Sequence, residues 1–206
     1  MTEKRYNKIK NVVEKRQPEL TVVLENITDP HNVSAILRTA EVAGIDEVYL
    51  IYNSGEFPKI GKNSSASAKK WVELHKFDSV KDCFDELHNR GFNIFSTAIV
   101  ENGENYSLYD LDFSQKSAIV LGNEVMGVSE DVIRNADKNF LIPMFGMIQS
   151  LNVSVTAGIC IFEAVRQRLK AGKYDESMHN ENELNLKLQK YILKADRYGL
   201  PPITND

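Results

Sequence analysis

Three short segments carry side chains whose types and spacing could do chemistry. In Pro30-His31-Asn32-Val33-Ser34-Ala35-Ile36-Leu37-Arg38-Thr39-Ala40, the amide of Asn32 is followed six residues later by the guanidinium of Arg38. In Leu121-Gly122-Asn123-Glu124-Val125-Met126-Gly127, a carboxylate stands between two glycines. In residues 142–155, Gly146 permits a bend ahead of a hydroxyl, Ser150, and a second amide, Asn152. A guanidinium keeps its charge and can stabilise a developing oxyanion. A glycine loop lets backbone approach a ligand such as an adenosine or methionine moiety. Each segment also has a plain structural account: Asn32 stands where a helix N-cap is expected, Arg38 is a solvated helical residue, Gly122 to Gly127 is a turn, and Asn152 caps a helix.

All three segments sit at strand-to-helix junctions, where backbone donors lack partners and small ligands commonly bind. Short apolar runs rich in β-branched or aromatic residues predict buried strands over 20–24, 48–51, 92–98, 118–121 and 140–142, with a further short one over 72–75. Helical patterns over 33–43, 79–90 and 129–135 separate most of them, the last capped by Ser129. Such alternation predicts an α/β domain with a parallel sheet covered on both faces. Thr2 as cap and the spacing of Tyr6, Ile9 and Val13 predict an amphipathic helix over 2–16. Residues 153–162 are apolar almost all round, so a helix there should pack on the sheet and on a second surface, in this chain or another subunit. The chain is polar from Gly172 to Asn182, and 184–198 form a charged helical segment. The partition is an N-terminal helical extension over 1–18, a core domain over 19–172 and a C-terminal helical extension over 173–206.

Composition bounds the function. A chain of 206 residues, 42% hydrophobic, suffices for one sizeable core but not for two full domains. Two cysteines without CxxC spacing support neither a disulfide framework nor a zinc or redox motif, which fits a reducing cytoplasm. The four histidines include no HExxH, and no metal is expected. The N-terminus lacks a signal-peptide run, and no stretch reaches the ~18–20 apolar residues that span a bilayer. Residues 55–63 miss a P-loop: five residues separate Gly55 from Gly61, and Asn63 replaces the Ser or Thr. No GxGxxG follows the first strand. A net charge of −4 argues against indiscriminate coating of nucleic acid, DNA included. Basic residues are nonetheless concentrated over 4–16 and in the polar loop 53–70, so Lys4, Arg5, Lys8, Lys59 and Lys62 are candidate polyanion contacts; a solvated helix and an ordinary surface loop account for them equally.

In order and spacing, the three segments resemble the three motifs of the SpoU class of RNA ribose 2′-O-methyltransferases, in the SPOUT superfamily. Arg5-Tyr6, Arg16-Gln17-Pro18-Glu19-Leu20-Thr21-Val22 and Tyr198-Gly199-Leu200-Pro201 extend the resemblance over nearly the whole chain, to the class's TrmH branch, which acts on tRNA guanosine-18. The resemblance implies a SPOUT-type parallel sheet with a C-terminal deep trefoil knot, a homodimer whose sites borrow residues from both subunits, S-adenosyl-L-methionine as cofactor and tRNA as partner. It implies that Arg38 acts on the ribose 2′-hydroxyl, held in place by Asn32. Glu124 is then a structural or catalytic support, Ser150 and Asn152 complete the pocket, and Thr97, Gly122, Ile142 and Leu151 contact the cofactor. Alternatives are the same chemistry on ribosomal RNA or another tRNA position, or a catalytically silent RNA-binding or assembly protein.

Overall fold

All six residues of β1 (Leu20–Glu25) are buried, as a strand covered on both faces requires. The structure is a computed structural model that describes residues 1–54, 57–58, 70–100 and 104–198. Alongside β1 lie β2 (Glu47–Ile51), β3 (Glu73–Phe77), β4 (Asn93–Thr97), β5 (Tyr106–Ser107), β6 (Ser117–Leu121) and β7 (Lys138–Leu141). Among the described residues these form one sheet in the order β3-β2-β1-β6-β4-β7-β5. Every pairing is parallel, for example Val22 with Val48 and Ile119.

Side chains alternate between faces along each strand. Val22 and Leu24 join one core with Ile36, Leu37, Cys160 and Ile161, beneath α2 (Pro30–Val42) and α5 (Val153–Lys170). Val23 joins a second with Phe84, Leu87 and Val132, beneath α3 (Val80–Asn89) and α4 (Glu130–Asn135). The terminal helices, α1 (Glu3–Glu14) and α6 (Glu181–Tyr198), pack on each other around Ile9, Val13, Tyr191 and Ala195. The α/β expectation therefore holds, and β5 is an addition, a two-residue strand paired with β7.

Thr2, Ser129 and Asn152 cap their helices as expected, each accepting a backbone N–H within the first turn. Asn32 does not. The N-cap of α2 is Asp29, whose carboxylate accepts from His31 N at 2.8 Å, and Pro30 fills the first turn. Proline suits that position because its φ is already helical and the missing N–H would have no intrahelical partner. Asn32 is thereby carried into the helix with its side-chain amide released from capping. Among the described residues no helix is long and apolar enough to cross a membrane.

Candidate active site

The loop after β6 is closed by its own backbone. Asn123 and Gly127 exchange two hydrogen bonds of 2.9 Å, and Asn123 Oδ1 accepts from Val125 N and Met126 N. Gly127 takes the left-handed φ of +70°. A Cβ on Gly122 would lie 2.2 Å from the Gly127 carbonyl carbon and 2.3 Å from Val128 N, so only glycine lets the loop fold back this tightly. Asn123 Nδ2 donates to Asn26 O at 2.8 Å, fastening the loop to the end of β1.

Glu124 projects from this loop toward the start of α2. Its Oε1 accepts from Asp29 N (3.1 Å) and Asn32 Nδ2 (3.0 Å), and its Oε2 from Thr28 N and Thr28 Oγ1 (both 3.2 Å). Partial burial, the largest single influence, pushes the carboxyl pKa up; hydrogen bonds from Asn32 and from the backbone of Glu124, Thr28 and Asp29 together outweigh it and hold the group below the usual glutamate value. Asn32 Oδ1 in turn accepts from Asn152 Nδ2 at 3.1 Å. Asn152 Oδ1 accepts from Ser154 N at 2.8 Å and from the Ser154 hydroxyl. One hydrogen-bonded line thus joins all three chemically suggestive segments.

Beside that line, at the carboxyl ends of β4, β6 and β7 and the first turn of α5, opens a cavity of about 940 Å³. Parallel sheets bind ligands at this end of their strands. Thr97, Gly122, Ile142 and Leu151 all line it, together with Glu124, Ser150 and Asn152. The Thr97 hydroxyl is committed to Val120 O at 2.9 Å, so this residue contributes wall rather than a free donor.

Arg38 is not among the cavity's lining residues. It is exposed on α2 and, six residues beyond Asn32, lies about 9 Å further along the helix and roughly 120° around it. The basic residues are not gathered at the cavity either: Lys4 and Lys8 are exposed and Arg5 half-buried on α1, whose C-terminal end joins the amino end of β1, about a strand length (~20 Å) from the cavity. Lys59 and Lys62 lie outside the described residues.

Two site-building residues escaped the sequence reading. Asn26 adopts φ 50°, a left-handed conformation that asparagine tolerates, and its side chain bonds Asn53 and Ser54 while its carbonyl receives Asn123. Asn123 organises the Glu124 loop from within. Their only sequence signal is an asparagine within two residues of the end of a buried strand, which is too common to single out.

The family model of the SpoU rRNA Methylase family matches residues 19–162, the stretch that contains every strand among the described residues and all three segments. The chain belongs to the SpoU methylase family. Within that family it is 44% identical to the tRNA (guanosine(18)-2′-O)-methyltransferase of Thermus thermophilus, over 84% of this chain and 88% of the relative. The Escherichia coli K12 protein of the same name is 35% identical over 89% and 80%. Among solved SpoU structures, the TrmH/SpoU tRNA modifying enzyme of A. aeolicus superposes with a TM-score of 0.85 at 37% identity, covering 97% of this chain and 98% of that one. The SpoU methyltransferase AviRb of Streptomyces viridochromogenes, solved in complex with AdoMet, gives a TM-score of 0.65 at 25% identity, covering 76% and 62%.

Proposed function

We propose that this SpoU methylase transfers the methyl group of S-adenosylmethionine to the ribose 2′-oxygen of guanosine-18 in the D-loop of tRNA. The carrying observation is the Glu124–Asn32–Asn152 line at the rim of one cavity, in a chain with extensive likeness to guanosine-18 enzymes. At about 940 Å³ the cavity falls in the range that holds small-molecule ligands. Ile142 and Leu151 offer apolar contact, Gly122 an approachable backbone, and Thr97 the floor. When bound, S-adenosylmethionine supplies an electrophilic sulfonium methyl.

The chain's residues must then orient the ribose and favour an alkoxide-like oxygen. Ser150 and Asn152 stand at the cavity mouth with a hydroxyl and an amide to direct it. Glu124 is a positioning residue: both oxygens are occupied by donors and its carboxyl stays ionised, so it holds Asn32 rather than taking a proton. A guanidinium is not deprotonated in proteins, so Arg38 stabilises developing negative charge. Alignment of acceptor and donor can supply ~7–11 kcal/mol of barrier lowering.

Because Arg38 stands off its own chain's cavity, it serves the cavity of a second copy. The homodimer surface we assign runs along α5, which exposes Val155, Phe162 and Leu169 at seven-residue spacing, and onto the preceding segment, where Phe145 (98% exposed) and Met147 (99%) are uncovered. The deep trefoil knot implied by the SPOUT resemblance falls in this region, where residues 122–127 and 142–152 wrap one cavity. Residues 1–18 and 173–206 are the extensions, with Lys4, Arg5, Lys8, Lys59 and Lys62 as RNA contacts in a cytoplasmic enzyme. The test is transfer of labelled methyl from S-adenosylmethionine to a tRNA transcript: incorporation at one ribose supports the assignment, and binding of S-adenosylmethionine without transfer to any tRNA refutes it.

A further inference from the structure

The paired terminal helices share a small apolar patch that Trp71, just ahead of β3, also joins, and beside it they meet the sheet across a polar seam at the amino ends of the strands. At its centre is Asp46, one residue ahead of β2 and 5% exposed. Its carboxylate faces Lys187 Nζ of α6 at 2.7 Å, His179 Nε2 of the preceding segment at 3.4 Å, and Arg16 Nε, just beyond α1, at 3.6 Å. Arg16 is itself buried. Its other nitrogens reach Glu41 Oε1 (2.9 Å) and the carbonyls of Glu41 (3.2 Å) and Ile45 (3.3 Å), and its guanidinium lies over the Tyr191 ring of α6. Among the described residues, Asp46 is the carboxylate that meets cations from both terminal segments. A second tie, Lys190 to Glu73 at 2.6 Å, is half exposed on both sides and so weaker. The sheet's two cores include no residue of α1 or α6, so the seam sets where the helix pair sits and not whether the sheet folds.

We propose that Asp46 is a positioning residue for RNA: it clamps the α1–α6 pair to the sheet in the orientation that tRNA meets, and it acts on methyl transfer only through that arm. This rests on the reading that α1 touches tRNA. The geometry favours a clamp over a surface ion pair because the carboxylate is enclosed, and removing one partner of a buried charge cluster leaves the others uncompensated.

The experiment uses the full-length protein with a tRNA transcript and compares Asp46→Asn, Lys187→Met and a Lys4→Ala/Arg5→Ala/Lys8→Ala triple variant. Steady-state kinetics give KM for tRNA and kcat, calorimetry gives the Kd for S-adenosylmethionine, and circular dichroism reports folding. Asp46→Asn is expected to raise the tRNA KM by about tenfold, with kcat and the cofactor Kd within about twofold of the parent. Lys187→Met leaves Asp46 paired with Arg16 and His179, should raise KM by about threefold, and carries the test if Asp46→Asn does not fold. A loss of stability alone would not separate KM from kcat in this way. If the triple variant raises KM while Asp46→Asn and Lys187→Met leave it unchanged, the arm binds tRNA without needing the clamp and the proposal is overturned. If no variant moves KM, the arm is not an RNA contact and both readings fall.

Discussion

Replacing Glu124 separates positioning from proton transfer, because the two roles rank Glu124→Gln and Glu124→Ala differently. The carboxylate receives four hydrogen bonds on two oxygens. Glutamine keeps the shape and one oxygen, but its NH₂ group must then face a donor. If it replaces Oε2, the Thr28 hydroxyl can turn to accept while Thr28 N loses its partner. A net hydrogen bond to a charged group contributes ~1.5–3 kcal/mol, and the exposed position of Glu124 puts this one at the low end, so the loss is about 1.5 kcal/mol, a little over tenfold in rate. Alanine removes all four bonds and frees Asn32 and, through it, Asn152; about 3 kcal/mol, or a hundredfold, is expected. The assay is single-turnover methyl transfer to tRNA at saturating S-adenosylmethionine. A general base would make both variants equally slow, since neither can accept the proton, and equal rates for Gln and Ala would refute the positioning role. The pH dependence has a definite sign. A carboxyl depressed in the folded state contributes above its unfolded pKa and loses that contribution as pH falls through the folded value. The gap between parent and Glu124→Gln should therefore stay constant above about pH 5.5 and close only below the usual carboxylate range.

Further outcomes follow from the same geometry. Gly122→Ala drives a Cβ into the backbone of Gly127 and Val128, so cofactor affinity should fall by at least about tenfold in calorimetry while circular dichroism stays that of the parent. Phe162→Asp places a charge on the exposed α5 face and should shift sedimentation from dimer to monomer. At S-adenosylmethionine too low to fill Gly122→Ala sites, mixing Arg38→Ala with Gly122→Ala protomers should restore up to about a quarter of parental activity, because half of the re-formed dimers carry one intact site if Arg38 acts across the interface; no recovery would place Arg38 in its own chain's site. Arg168→Met strands the acceptors Gln17 Oε1, Glu19 O and Gln115 O at the base of β1 and β6, and urea denaturation should register a loss of about 3 kcal/mol.

The sheet was legible because its strands are short, apolar and regularly interleaved with helical periods. Among the described strands only β5 escaped, since two residues have no periodicity and exist as strand through their pairing with β7. The plain structural account of Asn32, a helix cap, does not hold: Asp29 and Pro30 start the helix and leave its amide to bridge Glu124 and Asn152. The glycines at 122 and 127 mark a turn in the sequence, but the close approach of Gly127 and Val128 that makes a Cβ at 122 impossible exists only in the folded loop. The nearly all-apolar stretch after Asn152 predicts burial on more than one side; within this chain Ala157, Cys160, Ile161 and Ala164 bury against the sheet core, while Val155 and Phe162 remain exposed. Linkages across about a hundred residues, such as Asn123 to Asn26, depend on the folded path and leave no local pattern. The same holds for the distance between the cavity and α1.

The most direct test of the central claim uses two tRNAs that differ by one atom: a guanosine-18 tRNA and the same molecule with 2′-deoxyguanosine at position 18. With labelled S-adenosylmethionine, the first should take up one methyl per molecule, resistant to alkaline cleavage after residue 18, and the second none. Equal incorporation into both would place the methyl elsewhere and contradict the account.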